Sequence, residues 1–396
     1  MISTKYDLVI IGAGCAGLSL GYQLSVMGAV SPKTLLIESR LSYENDRTWC
    51  FWEDKANPFN SLCTHQWKEL LIINKPSEQI LETTFDCHSS PYQVLTGGTF
   101  YQHTIEAIAL NSNLELALGI DLLKEPEYRN GLWYLKTNEG SIAANMVVDT
   151  RPVGTPAMHG ATLWQSFSGY EVECLSEKFD PRAAVLMDFC PSNSEYTGFT
   201  YLLPISKNVA LIEFTSFGVK PYAAPALRAH LEESVKKFLN ATDYKVRRSE
   251  YGLIPMGLKP LDDDKAQHTQ GEDYYVRVGV NAGAARPSTG YSFQRIQNWS
   301  VACALSIVSR GVPIAHVKDP YLLQKMDALF LNVLKNNPNL GPELFFSLFS
   351  GVNPRRLIRF LTDKGEFLDL WAVIRVLPKV LFLSELLKTL IAKLKN

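Results

Sequence analysis

The chain has 396 residues, 46% of them hydrophobic and 20% charged, which is typical of a globular protein with two domains or one domain with a sizeable insertion. Its formal net charge of -1 favours neither nucleic acid nor any other polyanion, so nucleic acid is not an expected partner. Seven scattered cysteines without a CxxC pair argue against a disulfide framework and a structural zinc site, and no metal site is expected.

The N-terminal residues predict a βαβ unit that binds a dinucleotide. YDLVII at residues 6–11 predicts a buried strand, a helix follows over residues 18–26, and a second strand, TLLIE, ends at Glu38. The intervening glycines of GAGCAG allow a tight turn, the approach of a pyrophosphate and close packing of helix on strand, while the acidic strand end can bind a ribose. The residues expected to contact the cofactor here are Gly12, Ala13, Gly14, Gly17 and Glu38.

Two arginines follow this unit. Guanidinium groups suit phosphates, so Arg40 and Arg47 each either contact the cofactor or form surface salt bridges; we expect the cofactor contact for Arg47 and the salt bridge for Arg40. Because a strand begins by Tyr6 and no stretch reaches the ~18 apolar residues of a spanning helix, we expect neither a signal peptide nor a membrane span. The protein is expected to be soluble or peripheral.

The middle of the chain is rich in predicted strands. ELLIIN and ILETTF predict a hairpin, residues 100–109 a helix, and residues 114–149 a β-meander with turns at 129–131 and 138–140. Between residues 160 and 265, four further strands are predicted in LWQSFSGYEVE, AAVLMDF, FTYLLPI and NVALIEFTSF, with one helix over residues 224–239 among them.

The last of these strands carries a carboxyl group on an apolar face. Since side chains alternate along a strand, Glu213 shares a face with Leu211, Thr215 and Phe217, and neither face of the strand is polar. Glu213 either performs chemistry, faces solvent at a sheet edge, or pairs with a buried arginine. In the first case, desolvation raises its pKa and favours the protonated form near neutral pH.

A second glycine-containing segment follows downstream. VRVGVNAGAARPSTGYSF, residues 276–293, again predicts strand, turn and helix, and the helix is expected from Tyr291. This arrangement can bring backbone donors to the same cofactor. The residues expected to contact it are Asn281, Gly283, Pro287 and Gly290. Asp149, in the strand end VVDTRP, either returns to the cofactor or is a turn residue.

Everything after Asp319 predicts helix. Near the end of the chain, apolar residues recur with the spacing of one helix face, and Lys388, Lys393 and Lys395 supply positive charge. This face either lies on a membrane surface or packs on the protein's own core. Its apolar positions are Leu383, Leu386, Leu387, Leu390, Ile391 and Leu394.

Several of these motifs occur together in a fixed order: ESRLSYENDRTWCFW, VVDTRP, LWQSFSGYEVE, MDF, LIEFT, GLIPMG and NAGAARPSTGYSFQRI. From Tyr6 to about Leu361 they resemble the bacterial lycopene β-cyclases, flavoproteins related to the plant lycopene cyclases. The resemblance implies an α/β, Rossmann-like FAD-binding fold of the p-hydroxybenzoate hydroxylase type with an inserted β-sheet substrate domain and a helical C-terminal region. It implies FAD-binding segments at 1–85, 86–159 and 271–320, a substrate-binding sheet at 160–270 and a membrane-contacting helical region at 321–396.

The resemblance also implies a reaction. Family members convert the ψ-ends of lycopene into β-ionone rings, by way of γ-carotene to β-carotene, without net redox change and with reduced FAD; NADPH is the expected reductant. The plant strand motif Phe-Leu-Glu-Glu-Thr, whose first Glu is regarded as catalytic, corresponds to residues 211–215 here. Glu213 falls on that first Glu, and Phe214 replaces the second. Either Glu213 or the reduced flavin donates the proton.

The implied partners are lycopene and related carotenoids, a membrane surface and other carotenoid-pathway enzymes, at the cytoplasmic face of the membrane as a peripheral protein. The aromatic candidates for stabilising a cation are Trp49, Trp52, Trp164, Phe167, Tyr201, Phe214 and Phe217, with core packing as the alternative for each. Two other functions stay open: an FAD-dependent monooxygenase or isoprenoid reductase with an apolar substrate, and a flavin-bearing carotenoid carrier.

Overall fold

The computed structural model describes residues 5–394 except 54, 56, 77, 153–159, 191–193, 241–242 and 259–273. The strands are β1 Lys5–Ile11, β2 Thr34–Glu38, β3 Thr48–Trp52, β4 His65–Trp67, β5 Glu69–Asn74, β6 Leu81–Asp86, β7 Tyr92–Thr96, β8 Leu114–Leu118, β9 Glu127–Arg129, β10 Leu132–Thr137, β11 Gly140–Asp149, β12 Leu163–Cys174, β13 Ala183–Phe189, β14 Tyr196–Pro204, β15 Val209–Gly218, β16 Tyr244–Met256 and β17 Tyr275–Arg277. The helices are α1 Cys15–Val26, α2 Gly97–Ala109, α3 Ala224–Leu239, α4 Phe293–Arg310, α5 Tyr321–Asn336, α6 Gly341–Gly351, α7 Pro354–Leu361, α8 Phe367–Val376 and α9 Lys379–Leu394.

The first sheet contains the predicted βαβ unit. Its strand order is β8-β2-β1-β11-β10-β9, with β17 beside β11, and β1 runs parallel to both β2 and β11. Leu8 and Ile10 pack with α1, α2 and α4, while Val9 and Ile11 belong to a core on the other face. Since both faces of β1 are covered here, residues 8–11 are all apolar, whereas the polar Lys5 and Asp7 lie in its less buried first half.

The second sheet has the order β16-β12-β15-β14-β13-β5-β6 and contains the strand with Glu213. On one face of β15, Ile212 and Phe214 pack with α3. On the other face, Leu211 and Phe217 join a core built with the C-terminal helices α5 to α8. The strand lies between two apolar layers, which explains why neither of its faces is polar. A small sheet, β3-β7-β4, completes the described strands.

Most of the predicted elements are confirmed. β5 and β6 form the expected antiparallel hairpin, α3 has the predicted bounds, and the turn at Asn130 and Gly131 has positive φ angles of 51° and 80°. The meander prediction is wrong for its first strand, because β8 pairs in parallel with β2 rather than with its successor. A crossover through α2 permits this parallel pairing, which the strand pattern alone does not distinguish from a meander.

Two boundaries also differ from expectation. Strands β5 and β6, placed in the first FAD-binding segment from sequence, pair with the second sheet. The helix after the second glycine segment begins at Phe293, two residues later than expected. Among the described residues, no helix is both long enough and apolar enough to cross a bilayer.

Candidate active site

The glycine loop between β1 and α1 has the geometry that its sequence predicts. Gly12 has a φ of +85°, and a Cβ atom on Gly17 would lie 2.1 Å from the Gly12 carbonyl oxygen. Gly14 is the N-cap of α1, no side chain caps this helix end, and the space beside Gly14 is open. The loop therefore offers backbone N–H groups and the positive end of the helix dipole to a pyrophosphate, which fits the expected dinucleotide.

Glu38 ends β2 as predicted, but its oxygens already have protein partners. Oε2 accepts a 2.8 Å hydrogen bond from the Ala13 N–H, and Arg40 Nε lies 3.1 Å from Oε1. Burial raises the pKa of Glu38, but the bonds from Arg40 and Ala13 outweigh it and hold the pKa below its ordinary value. Arg40 thus forms the expected salt bridge, and its Nη2 also donates to the Ala13 carbonyl at 3.2 Å.

Arg47 and Asp149 also contact protein groups. The half-exposed Arg47, the residue before β3, donates to the carbonyl oxygen of Tyr251 on β16 at 3.1 Å. Asp149 ends β11 opposite Ile11 and is buried. It accepts 2.7 Å bonds from Arg151 and Tyr275, which outweigh the effect of burial and hold its pKa below the ordinary value. A cofactor contact by either residue remains a prediction.

The second glycine segment comes close to the first. Gly279 has a φ of +99°, and a Cβ atom there would lie 3.6 Å from the Thr150 carbonyl oxygen and 3.8 Å from Ala16. Beyond it, Asn281 lies in a 3₁₀ turn and Gly283 has a left-handed φ of +96°. The segment therefore reaches the start of α1, which sequence reasoning predicted only from the order strand, turn, helix.

The C-terminal end of this segment lines a cavity away from the first glycine loop. Pro287 is half-buried, and Gly290, with a φ of +72°, lies where a Cβ atom would be 2.5 Å from Gln165 Oε1. Gly290 and Tyr291 line a cavity of about 120 Å³ whose walls include Trp49, Phe167 and Glu213. The structure thus joins the predicted cofactor segment and the predicted catalytic residue in one cavity.

Glu213 faces this cavity from the interior of the second sheet. Because β15 lies between β12 and β14, the sheet-edge interpretation of Glu213 is wrong. The Thr215 hydroxyl donates to its Oε1 at 3.1 Å. Burial and the neighbouring Glu250 carboxyl together raise the pKa of Glu213 well above its ordinary value, against smaller opposing effects of Thr215 and Arg248.

Sequence reasoning missed Glu250, Arg248 and Thr48. Glu250 Oε2 accepts 2.7 Å hydrogen bonds from the Thr48 hydroxyl and from Arg248 Nη1. Arg248 also donates from Nε to Glu171 Oε2 at 2.7 Å. The buried arginine near Glu213 is therefore bonded to two other carboxylates. Glu250 lies just before the GLIPMG motif, so alternation along β16 could have indicated it.

A larger apolar cavity of about 540 Å³ lies between the second sheet and the C-terminal helices. Tyr201, Thr289 and Tyr291 line both this cavity and the one that holds Glu213, so the two spaces are neighbours. Its other walls include Phe217, Phe330, Phe345, Leu348, Phe349 and Phe360. A protonatable carboxyl group thus lies next to a space suited to a hydrocarbon.

The sequence profile of the family described as "Lycopene cyclase protein" matches residues 7–386. The chain belongs to the lycopene cyclase family. Among curated relatives, this family member is 24% identical over 291 residues to the lycopene beta-cyclase of Pseudescherichia vulneris, covering 72% of this chain and 70% of the relative. It is 24% identical over 342 residues to the chloroplastic neoxanthin synthase of Solanum tuberosum, covering 77% of this chain and 61% of that protein.

Solved structures share the fold of this lycopene cyclase family member at low identity. The geranylgeranyl bacteriochlorophyll reductase-like protein of Thermoplasma acidophilum superposes with a TM-score of 0.58 at 14% identity, covering 94% of this chain and 95% of that chain. The p-nitrophenol 4-monooxygenase of Pseudomonas putida gives a TM-score of 0.57 at 13% identity, covering 97% and 98%. The predicted FAD-binding fold of the p-hydroxybenzoate hydroxylase type is therefore confirmed.

The aromatic candidates of this family member divide between the cavities and the cores. Trp49, Phe167 and Tyr201 line the cavity with Glu213, and Phe217 lines the larger one. Phe214 lies on the opposite face, where its ring stacks on His230 at 4.7 Å. Trp52 and Trp164 are both buried. Three of the seven candidates therefore share a cavity with the carboxyl group.

Proposed function

We propose that this protein cyclises the ψ-ends of lycopene into β-ionone rings, by way of γ-carotene to β-carotene, without net redox change. The observation that supports this best is Glu213, a half-buried carboxyl group with a raised pKa in a small cavity beside a large apolar one. Membership of the lycopene cyclase family and the name of the Pseudescherichia vulneris relative agree with this reaction.

The chemistry requires a strong acid and little water. Protonation of the terminal double bond at C2 leaves a cation at C1, the C5=C6 bond attacks it, and loss of the C6 proton completes the ring. We assign proton donation to Glu213, because desolvation favours the protonated form of its carboxyl group. Once ionised, its carboxylate stabilises the cation. Trp49, Phe167 and Tyr201 add attraction of about 0.5–2 kcal/mol each where a ring faces the cation.

Reduced FAD is the proposed cofactor, with NADPH as its reductant. The glycine loop of Gly12, Gly14 and Gly17 would hold the pyrophosphate, and the segment from Asn281 to Gly290 would flank the flavin side. When bound, reduced flavin would supply negative charge or a proton near the cation. The proximity of Gly290 and Tyr291 to Glu213 supports this arrangement, because they line the same cavity.

A membrane surface is the proposed source of substrate. Trp371 and Ile374 of α8 and Leu383 and Leu386 of α9 line the large cavity and are themselves between 41% and 59% exposed. The exposed side chains of Phe367, Leu368, Leu387 and Ile391 extend this apolar surface, while the side chains of Leu390 and Leu394 lie outside the described part. Such a surface suits peripheral binding at the cytoplasmic face.

Incubation of the purified protein with lycopene in liposomes, FAD and NADPH under low oxygen tests the proposal. We expect products with β-rings and the mass of lycopene, and only catalytic consumption of NADPH. A hydroxylated or saturated product would instead indicate the monooxygenase or reductase function. Unchanged lycopene with a fully loaded, folded protein would favour the carrier function.

A further inference from the structure

Two carboxyl groups face each other across a glycine in the second sheet. Glu213 on β15 is the register partner of Gly169 on β12, and Gly169 is also the register partner of Glu250 on β16. All three residues therefore point to the same face of the sheet. A Cβ atom on Gly169 would lie 3.2 Å from Glu213 Cβ and 3.3 Å from Glu250 Cγ. The missing side chain leaves the space in which the two carboxyl groups meet.

We propose that Glu213 and Glu250 hold a single proton between them, and that Glu250 is the positioning residue that keeps this proton on Glu213 for delivery to the substrate. This inference rests on the proposed function. It goes beyond it by assigning a role to a second carboxyl group and to the glycine that separates the two.

The hydrogen bonds around each carboxyl group decide where the proton lies. Glu250 accepts bonds from the Thr48 hydroxyl and from the guanidinium of Arg248, both at Oε2, and a bond from a charged donor is the stronger kind. Glu213 receives the weaker, neutral bond from Thr215. Because like charges at close range disfavour double ionisation, the proton stays on the carboxyl group without the guanidinium contact, which is Glu213.

The other titratable groups near the pair do not compete for this proton. Tyr201 on β14, the register partner of Glu213, and Cys50 on β3 both have pKa values raised well above their ordinary ones, chiefly by burial. Both are therefore neutral at pH 7. Glu171 is bonded to Arg248 on the side away from Glu250. The guanidinium of Arg248 is thus shared between Glu171 and Glu250 and is not bonded to Glu213.

The pair balances the proposed reaction without an added reactant. The O–H bond of Glu213 breaks as the C2–H bond forms, and the C1–C6 bond follows. Two carboxylates then face the cation, and their negative charge stabilises it. Repulsion between the two carboxylates also raises the affinity of the pair for one proton. Loss of the C6 proton to the pair restores the starting state.

The Glu250→Gln variant distinguishes a proton shared with Glu213 from a role of Glu250 in packing alone. Glutamine keeps an acceptor for Thr48 and Arg248 and removes the charge, so the pKa of Glu213 should fall. The test is an infrared titration of the C=O stretching band of the protonated carboxyl group above about pH 6, where ordinary carboxyl groups are ionised. The band should vanish in Glu213→Gln and titrate at least one pH unit lower in Glu250→Gln. The high-pH limb of cyclisation should shift with it, lowering the rate ~10-fold per unit.

Glu171→Gln is the matched control, because it removes a carboxylate from the same arginine without touching Glu213. Its band should shift by less than that of Glu250→Gln. Equal shifts in both variants, or no shift in Glu250→Gln, would overturn the shared proton. If Glu250→Gln does not fold, Gly169→Ala provides the same test by forcing the carboxyl groups apart, and an unchanged titration there would also overturn it.

The infrared titration needs no lycopene. The expected band shifts without cyclisation would support the shared proton and contradict the proposed function. Cyclisation with unshifted bands would support the proposed function and contradict the shared proton. The two proposals therefore fail separately.

Discussion

Replacing Glu213 with glutamine removes the ionisable carboxyl group and leaves the size of the side chain almost unchanged. The amide oxygen can still accept the hydrogen bond from the Thr215 hydroxyl, and the neighbouring Leu211 and Phe217 keep their packing. Removing a general acid or base typically slows a reaction by about 10²–10⁴-fold. We therefore expect lycopene turnover in liposomes to fall by at least about 10²-fold, with the flavin absorption spectrum unchanged.

The same substitution has a predicted effect on stability. The pKa of Glu213 is about 4.5 in the unfolded chain and well above this in the folded protein. The folded state therefore binds the proton more tightly, and its stability decreases as pH rises above 4.5 toward the folded pKa. Each unit of difference corresponds to about 1.4 kcal/mol of unfolding free energy. Glutamine does not titrate, so Glu213→Gln should be more stable than wild type at about pH 8, with a smaller difference at about pH 5.

Denaturant unfolding at both pH values, beside the turnover assay, measures the two effects. Glu177→Gln is a suitable control, since this carboxylate is exposed and its salt bridge with Lys207 lies at the surface. Control turnover should equal that of wild type. Wild-type turnover in Glu213→Gln would refute the catalytic assignment. An unfolding free energy with the same pH dependence in wild type and Glu213→Gln would refute the raised pKa.

Three further substitutions test other parts of the structure. Gly17→Ala should abolish flavin retention in gel filtration, because its Cβ would lie 2.1 Å from a backbone oxygen; retention by a folded variant would contradict the loop assignment. Leu387→Glu should weaken flotation of the protein with anionic liposomes. The control is Leu110→Glu, which should not, because Leu110 is 89% exposed at the end of α2; equal flotation of both variants would argue against the membrane surface. Arg286→Met should lower the unfolding free energy by about 3–5 kcal/mol, because buried Asp327 loses its ion-pair partner and keeps only the bond from Ser288; a change below about 1 kcal/mol would contradict this.

The fold was largely predictable because its signals are local. Glycine spacing between an apolar strand and a helix predicts the turn at Gly12, and strand propensity predicts β12 and β15 to within one residue at each end. Strand partners were less predictable, since β8 looked like part of a meander yet pairs in parallel with β2. Parallel and antiparallel strands use the same residue types, so only the path of the chain between two strands decides their relative direction.

The residues of the candidate site also differ in how far the sequence predicts them. Sequence identified Glu213 as an acid on an apolar strand, because a charged residue among Leu211, Thr215 and Phe217 interrupts the pattern of its own strand. It gave no indication of Thr48, which binds Glu250 from 202 positions away. It predicted a salt bridge for Arg40 but did not indicate that the partner is Glu38, the residue expected to bind the cofactor.

What the sequence by itself determined is therefore a glycine loop between a buried strand and a helix, and one carboxyl group on an apolar strand, because each is encoded in consecutive residues. What only the tertiary structure decided is the state of that carboxyl group. Its pKa depends on Glu250 across Gly169, and on the apolar layers that exclude water from both faces of β15. These contacts follow from sheet register and packing, which bring together residues that are distant along the chain.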